Sequence, residues 1–170
     1  MHEFAEWLQA SSVSVTIQSV EWIIPLLQSI HILMIGVVFV SSLMITLRVV
    51  GSVRADEPFA AVWGRFAPWM WGGLVVMALT GLMLIVGEPV REFTALSFWL
   101  KMTLVAISVI TIVIFGRTVR PEARTSASAQ FSAGRKAAAV ATVVLWLAII
   151  FLGRAIAYDV EVWGSLSLHA

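Results

Sequence analysis

A single histidine, His31, lies inside a long apolar run that extends from Trp22 to Arg48. It stands nine residues in from Trp22, which at about 1.5 Å per helical residue puts it about 13 Å below a membrane surface. An imidazole at that depth needs a partner, a metal or a watery cavity, because lipid supplies neither donor nor acceptor. Two more ionisable groups, Lys101 and Arg154, interrupt apolar runs. An imidazole can ligate iron, and an ammonium and a guanidinium can hold the carboxylates of an anionic ligand such as haem b. The chain has no cysteine, which removes disulfides, thiolate metal sites, iron–sulfur clusters and covalently attached haem together. Histidine, methionine and carboxylates remain as ligands.

The neighbours of His31 sharpen the choice. Gln28 precedes it by three residues and Ser42 follows it by eleven, so the three share roughly one helical stripe, with Gln28 placed to fix the histidine tautomer. Met77 lies ten residues before Gly87 and so falls near the depth of His31. Gly73, Met77 and Gly81 recur at four-residue steps, a recessed surface against which a macrocycle could lie with the Met77 sulfur as a second axial ligand. Each of these residues also has a structural explanation. A histidine can join two helices, methionine fills gaps, and small residues let membrane helices approach. Lys101 and Arg154 can snorkel, or pair with Glu88, Glu92 or Asp159. His2 and His169 are near-terminal and read as solvated.

Four apolar segments must position these groups. The chain has 170 residues, 60% of them hydrophobic and 12% charged; the charged share is about half that of a soluble domain, so lipid is the solvent for most of it. We read the spans as Val20 to Val50, Phe66 to Val86, Ala95 to Gly116 and Ala137 to Tyr158, each near the length of a bilayer core. Short connections imply antiparallel neighbours. Before them, Phe4, Trp7 and Leu8 share one helical face, away from Glu3 and Glu6, which predicts a short interfacial helix. The acidic start and the lack of a compact apolar region before a cleavage site distinguish this segment from a signal peptide. The predicted fold class is all-α: an integral membrane four-helix bundle, in one domain, with a short N-terminal interfacial helix.

Charge sets the expected orientation. Arg48, Arg54 and Arg65 surround the first connection, and Arg117, Arg120, Arg124, Arg135 and Lys136 the third. Glu3, Glu6, Glu21, Glu88, Glu92, Asp159 and Glu161 fall on the opposite side, with Arg91 the one loop base there. The positive-inside rule then places both termini outside, in the periplasm of a bacterium whose inner membrane holds the protein. A net charge of +1 argues against a nucleic-acid partner.

Several short motifs carry a resemblance. Ser19-VEWIIPLLQSIHILMIG, Leu47-Arg48-Val49-Val50-Gly51, Pro68-Trp69-Met70-Trp71-Gly72-Gly73, Thr80-Gly81-Leu82 and Phe98-Trp99-Leu100-Lys101-Met102 resemble a family of bacterial four-helix inner-membrane proteins. Gln28 and Thr46 depart from acidic positions of that family. More distantly, the layout is similar to copper-resistance D-type proteins and the haem-dependent membrane protoporphyrinogen oxidase. That likeness implies a b-type haem on His31 with Lys101 nearby; it does not bring the oxidase activity with it. Three functions follow as expectations. The first is a haem b electron-transfer subunit of a larger redox assembly, with His31 as axial ligand, Met77 as sixth ligand, Lys101 and Arg154 on the propionates, and Gln28 and Gly81 completing the pocket. The second is a non-catalytic scaffold or accessory subunit in which His31 joins helices. The third is a small transporter in which His31, Gln28 and Met77 handle a soft metal cation. Other membrane or periplasmic redox subunits, or further copies of the chain, are the expected partners.

Overall fold

The structure is a computed structural model that describes residues 2–119 and 130–168; Arg120, Arg124 and His169 lie outside them. Helices α1 (His2–Gln9) and α2 (Ser12–Ser19) precede the long α3 (Ile23–Val50) and α4 (Phe59–Gly87). Short α5 (Pro89–Thr94) leads to α6 (Leu96–Thr118). Then come α7 (Ala133–Ala155), a 3-10 turn at Ile156–Tyr158, α8 (Asp159–Trp163) and a second 3-10 turn at Gly164–Leu166. The described residues contain no strand. Four helical segments are long and apolar enough to cross a membrane. Their outward faces carry large apolar side chains, among them Leu33 and Phe151 at 66% and 73% exposure. An apolar surface on this scale belongs in lipid, so the chain is a multi-pass membrane protein built as an all-α four-helix bundle.

Local chemistry sets the helix ends. The Ser11 hydroxyl accepts from Ser14 N–H at 3.3 Å and caps α2. Gly51 closes α3 at φ +91°, a left-handed position open to glycine, and its N–H donates to the Leu47 carbonyl at 3.0 Å. Pro89 occupies the first turn of α5, where a missing N–H costs nothing.

Two spans differ from the boundaries expected from hydropathy. α4 begins at Phe59 instead of Phe66, because Arg65 sits inside the helix and pairs with Glu57 at 3.3 Å, so its charge ends no segment. α7 begins at Ala133 instead of Ala137 and gives way to the 3-10 turn after Ala155. Its Arg135 donates to the Thr118 carbonyl at 2.5 Å, tying the start of α7 to the end of α6. Val20 to Trp22, expected inside the first span, instead form the turn between α2 and α3.

In the packing, α3 lies along α4, α6 lies along α7, and α3 and α7 join the two pairs. α4 and α6 meet chiefly through large side chains. The Trp63 ring lies where a Cβ on Gly116 would be, and Phe59 meets Phe115 edge-on at 6.0 Å. Val38, Met70, Met77, Ile112, Trp146 and Ile149 form the centre of the core. α1 rests on α5, with the Phe4 ring 6.0 Å from Phe93. The bundle therefore has a terminal end, bearing α1, α2, α5 and α8, and a loop end, bearing the 51–58 connection and the junction of α6 with α7.

Candidate functional site

His31 faces α4 near the terminal end. Its Nδ1 is 2.8 Å from Thr80 Oγ1. The Thr80 hydroxyl has one proton, and the Val76 carbonyl accepts it at 2.8 Å. With that proton on Val76, Thr80 accepts from the imidazole Nδ1–H, and the ring also faces the Met77 carbonyl. This fixes the tautomer through Thr80 on the facing helix, a role the sequence assigned to Gln28. Gln28 is half-buried one turn away, and Ser42, on the same nominal stripe, is buried far toward the loop end in another environment.

The glycine–methionine stripe of α4 is filled by α3. A Cβ on Gly81 would stand 3.3 Å from His31 Cε1, and one on Gly73 would stand 2.8 Å from a Val38 methyl. Met77, between them, is buried in the core. The recess that could receive a macrocycle is thus a helix–helix seam, in which small residues let α3 and α4 approach. As a haem cradle, the imidazole fits by its chemistry, with Nδ1 held at Thr80. The Gly73–Met77–Gly81 face does not fit, since α3 side chains occupy it.

Lys101 sits in the second turn of α6. Its stem packs 3.9 Å from a Cβ position on Gly153, and its Nζ lies 5.2 Å from the Phe98 ring centre. It pairs with Glu92 at 3.9 Å, beyond hydrogen-bond range but within strong Coulombic reach, with both side chains mostly buried. Burial pushes the Glu92 carboxyl above its ordinary value, against the opposing pull of Lys101 and Arg91, and Glu88 adds to the rise. Arg154 is exposed; it donates to the Tyr158 hydroxyl at 3.2 Å and lies over the same ring. The structure thus brings His31, Thr80 and Gly81 together, while Lys101 turns to Glu92 and Arg154 to Tyr158.

Sequence reasoning did not find the most heavily bonded carboxylate. Asp159 is 3% exposed and accepts from Leu96 N–H at 3.0 Å, Ser97 N–H at 2.9 Å and the Ser167 hydroxyl at 2.7 Å. Trp163 Nε1–H donates to Ser97 Oγ at 2.8 Å beside it. Asp159 is therefore the N-terminal cap of α6, delivered by a segment more than sixty residues later. The available signal was local: Ala95, just before α6, has no side chain that can cap.

No protein-family model matches the chain, and no curated protein or solved structure is detectably similar to it. The fold and the site define its class on their own terms. It is a multi-pass α-helical membrane protein whose terminal half is joined by polar contacts between helices.

Proposed function

We propose that this chain is an accessory, non-catalytic subunit of the bacterial inner membrane, with both termini in the periplasm and His31 acting as a link between helices. The observation that carries the reading is the 2.8 Å bond from His31 to Thr80 across α3 and α4. The other candidate residues also have structural work. Gly73 and Gly81 admit α3, Met77 fills the core, Lys101 pairs with Glu92, and Arg154 holds Tyr158. The orientation rests on Arg48, Arg54, Arg65, Arg117, Arg135 and Lys136 at the loop end. Reporter fusions after Arg54 and after Leu168 should read cytoplasm and periplasm respectively; the reverse at both sites would invert the topology.

The His31 imidazole, held at Nδ1 by Thr80, favours a second reading, a b-type haem held by His31 in an electron-transfer assembly. Haem would then supply one-electron chemistry, and His31 would ligate its iron through Nε2 with Thr80 accepting from Nδ1–H. Lys101 is the cation nearest to hand for a propionate. Met77 stays in the seam and would not reach the iron.

One preparation separates the two. Protein produced with ample haem and purified gently should show no Soret band if His31 is an interhelical link. A Soret band in the wild type that is lost in His31→Leu would establish the haem reading in place of the accessory one.

A further inference from the structure

The loop half of the bundle holds a small, half-open cavity of about 30 Å³, in whose largely apolar wall Ser42, Thr46 and Thr142 are the polar side chains. All three are buried. The Thr46 hydroxyl donates to the Ala139 carbonyl at 3.1 Å, and the Thr142 hydroxyl donates to the Ala138 carbonyl at 2.9 Å. Their protons are committed, so each presents acceptor lone pairs alone. Ser42 makes no side-chain hydrogen bond among the described residues and retains a proton to give. Two acceptors and one donor around this volume match the valence of one water molecule, and the space exceeds the roughly 10–15 Å³ that a water requires.

A second observation stands one helical turn toward the terminal end. Ser108 Oγ and Trp146 Nε1 are the fully buried side-chain polar atoms without a hydrogen-bond partner among the described residues. Ser108 precedes Ile112 by one turn on α6, and Trp146 follows Thr142 by one turn on α7; Ile112 and Thr142 both line the cavity. The two helices are antiparallel, so both orphan groups lie about 6 Å from the cavity on the same side. Lipid cannot satisfy them.

We propose that this cavity is a binding site for ordered water, held by Ser42, Thr46 and Thr142 and extending toward Ser108 and Trp146. A bare monovalent cation is the poorer occupant, because neutral hydroxyls with no carboxylate beside them do not compensate its lost hydration. The site lies in the loop half, separate from the contact between His31 and Thr80.

Water-edited solid-state NMR of the wild-type protein in deuterated lipid tests this directly. Magnetisation from water should reach the side chains of Ser42, Thr46 and Thr142 several-fold faster than that of Val38, which is fully buried on the same helix as Ser42. Transfer to the three hydroxyl residues no faster than to Val38 would overturn the proposal. Thr142→Val keeps the volume and removes one acceptor, so transfer to Thr46 should fall toward the Val38 rate. Undiminished transfer at Thr46 in that folded variant would also overturn it. If the variant does not fold, the wild-type comparison decides.

Discussion

The two halves of the bundle are held together by different means. Toward the terminal end, side-chain hydrogen bonds and an ion pair run between elements: His31 to Thr80, Asp159 to the start of α6, Trp163 to Ser97, and Lys101 to Glu92. Toward the loop end the chief ties are rings. Phe59 meets Trp63, Phe115 and Phe131 at 5.6, 6.0 and 5.4 Å in tilted or edge-on pairs, and Phe115 meets Phe131 at 6.2 Å, with Gly116 making room for Trp63. Polar ties accompany them: the Thr46 hydroxyl donates to the Ala139 carbonyl, and beyond it Arg48 Nε–H and two further arginines converge on Glu57. The contrast shows what a membrane bundle can do with the same residue types. Where partners are near, polar groups fix register; where they are not, they leave space for water.

The largest expected effect comes from breaking the terminal half at its cap. Asp159→Ala would leave the Leu96 and Ser97 N–H groups and the Ser167 hydroxyl without their acceptor in a dry site. A loss of about 3 kcal/mol is expected, since hydrogen bonds to a charged group contribute about 1.5–3 kcal/mol each and relaxation recovers part. Unfolding in mixed micelles measures it; a loss below about 1 kcal/mol would remove the cap from the account.

Next in size is the seam itself. Gly73→Ala would place a Cβ 2.8 Å from the Val38 methyl, closer than real contacts allow. Overpacking of this kind costs about 1–3 kcal/mol. Gly81→Ala meets the His31 ring edge at 3.3 Å and should cost less. If the two variants ranked the other way in the same unfolding assay, the close approach would not lie at Val38.

The smallest effect is a pH dependence. Glu92 holds its proton more tightly in the folded chain than when unfolded, because burial outweighs the pull of Lys101 and Arg91. The folded state therefore binds more protons in the window from the ordinary carboxylate value up to the raised one. Stability should fall as pH rises through that window and level off above it. Glu92→Gln should flatten this slope, as read from unfolding midpoints across the acid range; an unchanged slope would assign it to another group.

Much of this architecture was legible in the sequence, because the bilayer imposes length and composition on every span. The four helices and the interfacial start follow from that constraint. Span boundaries were less legible: Arg65 and Arg135 lie inside helices, since their side chains reach partners beyond the apolar zone. In the candidate site, the inward face of His31 could be read, and so could the four-residue rhythm of Gly73, Met77 and Gly81. Their meaning could not, because one stripe of small residues serves equally for a ligand or a neighbouring helix, and only the facing residues Val38 and His31 decide. Thr80 escaped notice as the histidine's partner for a related reason. A threonine inside a helix usually bonds its own backbone, and Thr80 does so while also accepting across the seam. Asp159 was hidden by sequence distance alone.

The central claim is that His31 joins α3 to α4 through Thr80. A double-mutant cycle of His31→Leu and Thr80→Val, read by unfolding free energy in micelles, isolates that bond from the packing changes of either variant. Hydrogen bonds between membrane helices contribute about 0.6 kcal/mol on average and up to about 1.7 kcal/mol. The account predicts a favourable coupling of about 1 kcal/mol for this short, half-buried bond. A coupling of zero, with the two single losses simply adding, would contradict it.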